Sequence, residues 1–500
     1  MAITPRPRYF YRSVTFCFAV ACAILCGVER APLPVFAGQG VPSTEKSRDE
    51  KGRPNILVIM ADDLGYADIG VHGGCEVPTP HIDALAKSGI RCTNAYVSAP
   101  YCSPSRAGFL TGKYQTRFGH EFNPHVGDEA KLGLPLDQKT IADALKAAGY
   151  RTALVGKWHQ GFSPEHHPQS RGFDEFFGFL VGGHNFLLHK EAVPRFGTAH
   201  SHDMIYRGRD VQTLEGYTTD LFTDEAIRFT STSADRPWFL FQSFNAVHTP
   251  LEIAPHLESR IPDSVKDRAR RGYLSLLLGL DDSIGRLLAH LEATGQRQNT
   301  LIFFLSDNGG AGRKPYLAFN TGVNTPLRGD KGQTLEGGIR VPFFVSWPAR
   351  LAAETTYDHP LIALDILPTA CEAAGAAIPD DIDGVSLLPQ LTKTEPDPSH
   401  PSLCWRFGPQ KAIRQGDWKL VDWRDFNQST SSGWELYNLR EDIGEAHNRA
   451  MEHPELAARL RGEWESWNQR NVEPAWRGSK TEDPPLSRPP ESTDPLPTKP

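Results

Sequence analysis

The sequence has no excess of positive charge. Its 500 residues include 53 lysines and arginines against 60 aspartates and glutamates, so the formal net charge is −7. Proteins that bind nucleic acids or anionic membranes owe much of their affinity to a strongly basic surface. The composition therefore argues against both kinds of partner, and a local cluster of cations must hold any anion that the protein binds.

Long apolar runs are also scarce. The run from Val14 to Val28 holds roughly 15 residues, fewer than the ~20 that a membrane-spanning helix needs. Three arginines precede it and small residues follow it near Ala37. This order of basic, apolar and small residues is typical of a secretory signal peptide, and the alternative, a membrane anchor, is too short. We predict an exported protein of the periplasm, the extracellular space or an equivalent secretory compartment, with no stable membrane insertion.

Cysteine is uncommon too. Three of the eight cysteines lie within the predicted signal peptide, and the others are Cys75, Cys92, Cys102, Cys371 and Cys404. Cysteines of exported proteins usually pair as disulfides. An odd number leaves at least one sulfur for another use, and Cys102 is the candidate. The other four are expected as buried thiols or as up to two disulfides.

Apolar runs alternate with amphipathic stretches along most of the chain. Runs typical of buried strands occur at 55–63, 151–156, 238–244, 300–310 and 341–347. This alternation predicts an α/β fold with a mainly parallel central sheet and helices on both faces. In such sheets, ligands bind beyond the carboxyl ends of the strands.

The pattern changes after about residue 400. Aromatic, glycine-punctuated segments with a period closer to two indicate a small antiparallel sheet packed on the main domain. From Ser479 the chain is a proline-rich polar tail, which we predict to be disordered. The predicted divisions are a signal peptide (1–37), a linker (38–52), a main, catalytic domain (53–400), a C-terminal subdomain (401–478) and the tail (479–500).

Acidic side chains end two of the predicted strands. Asp62 and Asp63 close the first run, and Asp307 and Asn308 follow the apolar part of 300–310. Either pair alone is more simply explained as a solvated turn or a helix cap. Both pairs at one edge of a sheet would concentrate the oxygen ligands that a hard divalent cation requires. The four residues are therefore candidate metal ligands.

Basic and imidazole side chains lie at corresponding positions after strands. The candidates are Arg106, Lys157, His159, His248 and Lys331. Each alone would more often be structural or solvent-facing. Together beside a metal they describe a site for an oxyanion such as sulfate or phosphate, in which fixed charges stabilise the transition state.

Two motifs carry a resemblance to a known family. The segment CSPSR at 102–106, continued by Leu110-Thr111-Gly112, resembles the signature of the sulfatases, which have the alkaline-phosphatase-like fold. The segment GYRTALVGKWH, residues 149–159, is similar to the second signature of that family. The resemblance continues through about residue 450 and is to formylglycine-dependent type I members, arylsulfatase-like and N-acetylgalactosamine-6-sulfatase-like.

The resemblance implies a chemical fate for Cys102. In this family a formylglycine-generating enzyme reads the motif, which includes Pro104 and Arg106, and oxidises the cysteine to Cα-formylglycine. The aldehyde hydrates to a gem-diol. One hydroxyl attacks sulfur, and the second, once deprotonated, expels sulfate as the aldehyde re-forms. A serine could attack but would lack that route of release.

The resemblance also implies the metal ligands. By matching positions, calcium or magnesium would be bound by Asp62, Asp63, Asp307, Asn308 and residue 102.

Catalytic and substrate-binding roles are implied in the same way. Arg106 and Lys157 would stabilise the diol, with Lys157 also near the substrate. His159 would be the base that triggers sulfate release. His248 and Lys331 would hold the sulfate ester and assist departure of the leaving oxygen.

Two positions depart from the family pattern. Gln160 replaces an apolar residue that often follows the histidine of the second signature, and we expect it to change the lining of the pocket. His184 lies where some relatives supply a hydroxyl to the sulfate, and we expect it to substitute in substrate binding.

We therefore predict a sulfuric ester hydrolase that acts on a sulfated carbohydrate, with aryl sulfates as artificial substrates. Two alternatives stay open. A phosphoester or phosphonate hydrolase on the same fold would more often carry serine or threonine as nucleophile and a richer set of metal ligands. A non-catalytic exported protein that binds sulfated glycans would lack catalytic residues, and none of the matched ones is missing.

Overall fold

The apolar runs become the strands of one large sheet. A computed structural model describes residues 52–124, 132–189, 204–232, 236–312, 321–393, 396–424 and 432–478. The predicted signal peptide, the predicted linker apart from Gly52, and the predicted tail lie outside the described residues.

The strands are numbered in chain order. They are β1 (Asn55–Ala61), β2 (Ile90–Cys92), β3 (Ala95–Tyr96), β4 (Arg151–Lys157), β5 (Glu175–Phe179), β6 (Leu187–Leu188), β7 (Ile205–Arg207), β8 (Asp210–Gln212), β9 (Gly216–Tyr217), β10 (Trp238–Ser243), β11 (Thr300–Ser306), β12 (Phe343–Ser346), β13 (Thr355–Tyr357), β14 (Leu361–Ile362), β15 (Leu403–Phe407), β16 (Gln410–Gln415), β17 (Trp418–Asp422) and β18 (Glu435–Asn438).

The α-helices are numbered in the same way. They are α1 (Pro80–Lys87), α2 (Cys102–Thr111), α3 (Ile141–Ala147), α4 (Thr218–Ser231), α5 (Arg268–Ala293), α6 (Glu336–Ile339), α7 (Ile366–Ala374), α8 (Leu388–Leu391) and α9 (Pro454–Asn468). Of the helices in the described part of the chain, none is both long and apolar enough to cross a bilayer.

The large sheet has the strand order β13-β2-β12-β11-β1-β10-β4-β5-β7-β8. Its five central strands, from β11 to β5, run parallel. Strand β12 is antiparallel to both of its neighbours, and β7 and β8 add an antiparallel edge. The prediction of a mainly parallel central sheet is confirmed, with antiparallel strands toward both of its edges.

Successive residues of β1 face two separate cores. Leu57 and Ile59 pack with residues of α1, α4 and α5, whereas Ile56 and Val58 pack with residues of α2, α3 and α7. Both faces of the strand are thus buried, which explains why the run is continuously apolar. Each buried aliphatic side chain contributes about 1.5–3 kcal/mol of burial free energy, so these cores hold the strand ends in fixed positions.

The C-terminal subdomain is an antiparallel sheet in the order β15-β16-β17-β18, as predicted. Helix α9 packs on it, and Trp464 Nε1 donates a hydrogen bond to the backbone oxygen of Trp405 at 2.9 Å. The same apolar cluster includes Tyr96 and Ile362 of the main domain. The small sheet and the main domain therefore share one core.

The five cysteines outside the predicted signal peptide are all free thiols. Cys92, Cys102, Cys371 and Cys404 are buried, and Cys75 is exposed. The alternative of one or two disulfides is therefore wrong, and the buried-thiol alternative holds for all but Cys75.

Candidate active site

The candidate site lies where four neighbouring parallel strands end. Asp62 and Asp63 follow β1 directly, and Asp307 follows β11. Lys157 is the last residue of β4, and His248 lies in the loop after β10. Because these strands are adjacent in the sheet, their carboxyl ends meet at one edge. The fold thus gathers side chains that are far apart in the sequence.

Helix α2 brings Cys102 to the same edge. Tyr101 is extended (φ −144°, ψ 150°) and the helix begins at Cys102, with Pro104 in the first turn, where proline is tolerated. Cys102 Sγ lies 3.0 Å from Lys331 Nζ and 3.7 Å from Asp62 Oδ1. Cys102 is 1% exposed, and burial raises the pKa of its thiol to about 12. The unmodified thiol is therefore protonated at neutral pH and is a poor nucleophile.

Lysine ammonium groups contact two of the carboxylates. Lys157 Nζ lies 2.6 Å from Asp62 Oδ2, and Lys331 Nζ lies 2.7 Å from Asp63 Oδ1. Burial alone would raise the pKa of Asp63, but the charges of Lys331 and His248 outweigh that effect and hold this pKa well below its usual range. Asp63 is therefore ionised, as a ligand of a hard cation must be.

Arg106 is fully buried and joins three parts of the site. Its Nε donates to Asp307 Oδ2 at 2.8 Å, and its Nη1 donates to Ser243 Oγ at 2.6 Å. Ser243 Oγ donates in turn to the backbone oxygen of Lys157 at 2.7 Å. Sequence reasoning missed Ser243, although a polar residue near the end of the apolar run 238–244 was a usable signal.

The site offers carboxylate and amide oxygens, which suit a hard cation, beside a thiol and an imidazole. One atom each of Asp62, Asp63, Cys102 and His248 lie within 4.8 Å of one another. Asn308 Nδ2 donates to Asp63 Oδ1 at 2.8 Å, whereas Asn308 Oδ1 is buried with no hydrogen-bond partner. An unsatisfied buried polar atom costs about 1–3 kcal/mol, and a cation bound to it would remove that cost.

His159 is a buried histidine with a left-handed backbone (φ 58°). A Cβ atom at Gly182 would lie 2.7 Å from His159 Nε2, so only glycine lets the neighbouring loop pass this close to the imidazole. Burial, together with the charges of Lys157 and Arg106, lowers the pKa of His159 well below its usual value. The imidazole is therefore neutral at neutral pH, which is the form that a general base must have before it takes a proton.

His184 is buried, and the preceding residue, Gly183, lies close to His248 of the site. Its Nδ1 lies 2.7 Å from the backbone oxygen of Asn185, and its ring centroid lies 5.0 Å from that of Phe179. A Cβ atom at the preceding Gly183 would lie 3.4 Å from His248 Cε1. The substrate-binding role of His184 stays a prediction.

The expectation that Gln160 changes the lining of the pocket stays a prediction. Gln160 is fully buried, and its Nε2 donates to the backbone oxygens of Ser103 and His159 at 2.8 and 2.9 Å. Ser103 Oγ donates to the same His159 oxygen at 2.6 Å and lies 2.7 Å from His120 Nε2. Gln160 is polar because it ties the first turn of α2 to the loop that carries His159.

Comparison with known proteins gives matches over most of the chain. The family model described as Sulfatase matches residues 54–376, and the one described as N-sulphoglucosamine sulphohydrolase, C-terminal, matches residues 329–469. The chain is 33% identical to N-acetylgalactosamine-6-sulfatase of Mus musculus, over 75% of this chain and 74% of that protein. It is 33% identical to steryl-sulfatase of Mus musculus, over 77% and 70% of the two chains.

One solved structure is similar to this chain over nearly the whole length of the solved chain. The crystal structure of Ps i-CgsB in complex with k-i-k-neocarrahexaose superimposes with a TM-score of 0.77 at 35% sequence identity, and the match covers 85% of this chain and 94% of that chain. The site geometry, the family models and these relatives agree. The chain belongs to the sulfatase family and is a sulfuric ester hydrolase.

Proposed function

We propose that this sulfatase removes sulfate from a sulfated carbohydrate, with a formylglycine hydrate at position 102 as nucleophile and a divalent metal beside it. The placement of residue 102 is the observation that carries the proposal. Residue 102 is the first residue of α2, within the motif CSPSR. Its Sγ lies 3.0 Å from Lys331 Nζ and 3.7 Å from Asp62 Oδ1. The sulfur marks the place that a hydroxyl of the hydrate would take.

The proposed metal ligands are Asp62, Asp63, Asp307, Asn308 and residue 102. Carboxylate and amide oxygens suit calcium or magnesium, and the unpartnered Asn308 Oδ1 supports a cation at this position. A bound cation would supply Lewis-acid polarisation of the sulfate ester.

Residues of the chain itself would hold the sulfate group. Lys331 Nζ lies beside residue 102, and its charge can stabilise sulfate oxygens as negative charge shifts during transfer. His248 Nδ1 contacts the backbone oxygen of Thr249 at 2.7 Å, which orients the ring so that Nε2 lies 3.8 Å from Asp63 Oδ2. Under the proposal, both groups would contact the sulfate ester bound at residue 102.

The remaining predicted residues would transfer a proton or stabilise negative charge. His159 would take the proton from the second hydroxyl when sulfate leaves, since its imidazole is neutral. Arg106 and Lys157 would stabilise the hydrate through their positive charge. The hydrate itself supplies the attacking hydroxyl.

The relatives support a carbohydrate as the substrate. One is named N-acetylgalactosamine-6-sulfatase, and the similar crystal structure contains k-i-k-neocarrahexaose. Steryl-sulfatase is equally similar by identity, so a sulfated steroid is the substrate to test against. Export through the predicted signal peptide and maturation by a formylglycine-generating enzyme belong to the same proposal.

The first test is the mass of the tryptic peptide Cys92–Arg106 from protein purified from its native source. Conversion of Cys102 to formylglycine lowers the peptide mass by about 18 daltons, a change that no structural cysteine undergoes. We expect this shift in most of the protein. A thiol at residue 102 in active protein would contradict the proposed nucleophile.

The second test is turnover of a panel of sulfated oligosaccharides, an aryl sulfate, a sulfated steroid and phosphate esters. We expect release of sulfate from at least one oligosaccharide, and loss of all turnover in Cys102→Ala. A mutant of the exposed cysteine, Cys75→Ala, is the matched control and should keep full activity. Turnover of phosphate esters or the steroid alone would overturn the carbohydrate assignment.

A further inference from the structure

Lys331 reaches residue 102 from a loop. Its Nζ lies 3.0 Å from Cys102 Sγ and 2.7 Å from Asp63 Oδ1, although its backbone belongs to no helix or strand. A lysine side chain is a flexible four-carbon stem, so a fixed position of its ammonium requires contacts that hold both the backbone and the side chain. The contacts that hold this backbone therefore bear on catalysis.

Gln410 of the small sheet forms hydrogen bonds with the loop backbone just after Lys331. Its Nε2 donates to the backbone oxygen of Gly332 at 2.7 Å, and its Oε1 accepts from the backbone nitrogen of Thr334 at 3.2 Å. Gln410 is 5% exposed, so both hydrogen bonds are shielded from water. One amide thus satisfies a backbone acceptor and a backbone donor on either side of Gln333.

The turn that carries Gln410 is itself tied to the main domain. Phe407 pairs with Gln410 across the two-residue turn, and Gly408 adopts a left-handed conformation (φ 54°) that glycine favours. Gly408 N donates to Glu121 Oε1 at 2.8 Å, and Arg406 Nη2 donates to Glu121 Oε2 at 2.8 Å. Both oxygens of the buried Glu121 carboxylate therefore accept hydrogen bonds that hold the turn in place.

The same turn also supports the ammonium end of the lysine. The Phe407 ring stacks on Tyr101 with a centroid distance of 5.6 Å and an interplanar angle of 19°. Lys331 Nζ lies 5.0 Å from the centroid of the Tyr101 ring, within the range of a cation–π interaction. The turn thus contacts both the backbone behind Lys331 and the ring beside its charge.

We propose that Gln410 is a positioning residue of the active site, which fixes the loop of Lys331 and so places the Lys331 ammonium against the sulfate group. The inference rests on the sulfate-holding role proposed for Lys331. It assigns part of the catalytic geometry to the small C-terminal sheet.

The test is a comparison of kcat and KM between the wild-type enzyme and Gln410→Met, which keeps the side-chain length but can neither donate nor accept these hydrogen bonds. We expect kcat/KM to fall by about tenfold to hundredfold, because small misplacements of a reacting group have effects of this size. Gln410→Glu, which keeps the acceptor for Thr334 but loses the donor for Gly332, should show a similar loss and serves if the methionine variant fails to fold.

The matched control is Gln415→Met. Gln415 lies on the same strand, and its amide contacts Arg459 and Glu463 of α9, away from the site. We expect its kcat/KM to equal that of the wild type. Formylglycine content is measured by peptide mass in every variant, so that incomplete maturation is corrected for.

A double-mutant cycle with Lys331→Met separates positioning from a general structural effect. If Gln410 acts through Lys331, adding Gln410→Met to the Lys331→Met enzyme causes no further loss of kcat/KM. The inference would be overturned if the double mutant showed the product of the two single-mutant reductions in kcat/KM. It would also be overturned if Gln410→Met were as active as Gln415→Met. A wild-type enzyme without sulfate release would instead overturn the proposed function, so the two failures are distinguishable.

Discussion

Asn308 shows how a single buried atom can support a proposed metal site. Its Nδ2 is bonded to Asp63, while its Oδ1 is buried without a hydrogen-bond partner. Native proteins rarely leave a buried oxygen unsatisfied. An ion or a substrate that contacts the oxygen would remove this cost, and the neighbouring carboxylates favour the proposed cation.

We predict that Asn308→Ala weakens binding of calcium or magnesium to the metal-depleted protein by about tenfold or more, because one oxygen ligand is lost. Calorimetric titration with each metal measures the affinity. Asp282→Asn is the control, since Asp282 belongs to a separate group of possible ligand atoms with His81 and Asp281. Normal affinity in Asn308→Ala with weakened affinity in Asp282→Asn would move the metal to that second group.

Between elements, an ion pair links the start of α7 to the segment before β15. His400 Nε2 lies 2.8 Å from Asp365 Oδ1, and Asp365 also accepts backbone hydrogen bonds from Ile362 and Val385. Burial alone would lower the pKa of His400, but the charge and the hydrogen bond of Asp365 outweigh burial and raise it. The protonated imidazole is therefore the form that the folded state favours.

A raised histidine pKa predicts the sign of a pH effect. Stability from this pair is fully present below the unfolded-state pKa of about 6.5 and is lost as the pH rises through the higher folded-state pKa. We predict that His400→Gln lowers the free energy of unfolding by about 1.5–3 kcal/mol in acid, and by less at alkaline pH. Urea unfolding of both proteins at several pH values tests this. A difference that grows with pH would contradict it.

At the scale of the whole molecule, a buried ion network joins the small sheet to the main domain. Lys419 of β17 is fully buried, with Nζ 2.9 Å from both Glu336 Oε1 and Glu445 Oε1. Tyr96 of β3 donates to Glu336 Oε2 at 2.7 Å. Together with the shared apolar core, these contacts predict that the small sheet and the main domain unfold as one unit.

We predict that Lys419→Met lowers the free energy of unfolding by about 3–5 kcal/mol, because it leaves the buried Glu445 carboxylate without its lysine, although Glu336 keeps its ion pair with Arg340. Far-ultraviolet circular dichroism and tryptophan fluorescence should still report one coincident transition. Lys411→Met is the control, since Lys411 is 36% exposed and 3.9 Å from Asp422, and should cost less than about 1 kcal/mol. Two separate transitions in the wild type would refute the coupling.

The sequence predicted those features that local patterns encode. Asp62 and Asp307 could be found because acidic residues directly follow apolar runs, and parallel strands bring such ends together. Helix α9 was not predicted, because the aromatic pattern before it suggested only strands. The contact of Gln410 with Gly332 was not predictable, because the two residues are 78 positions apart and no periodicity relates them.

The near-complete burial of Cys102 sets an order of events in time. At 1% exposure, and enclosed in a helix whose ten residues are all buried, its side chain cannot be reached by another enzyme once the chain has folded. The conversion proposed for this residue would therefore have to precede folding, so maturation would compete with folding. A chain that folded first would keep its cysteine, and under the proposed mechanism the fraction of active molecules would depend on the relative rates of conversion and folding rather than on the stability of the finished protein.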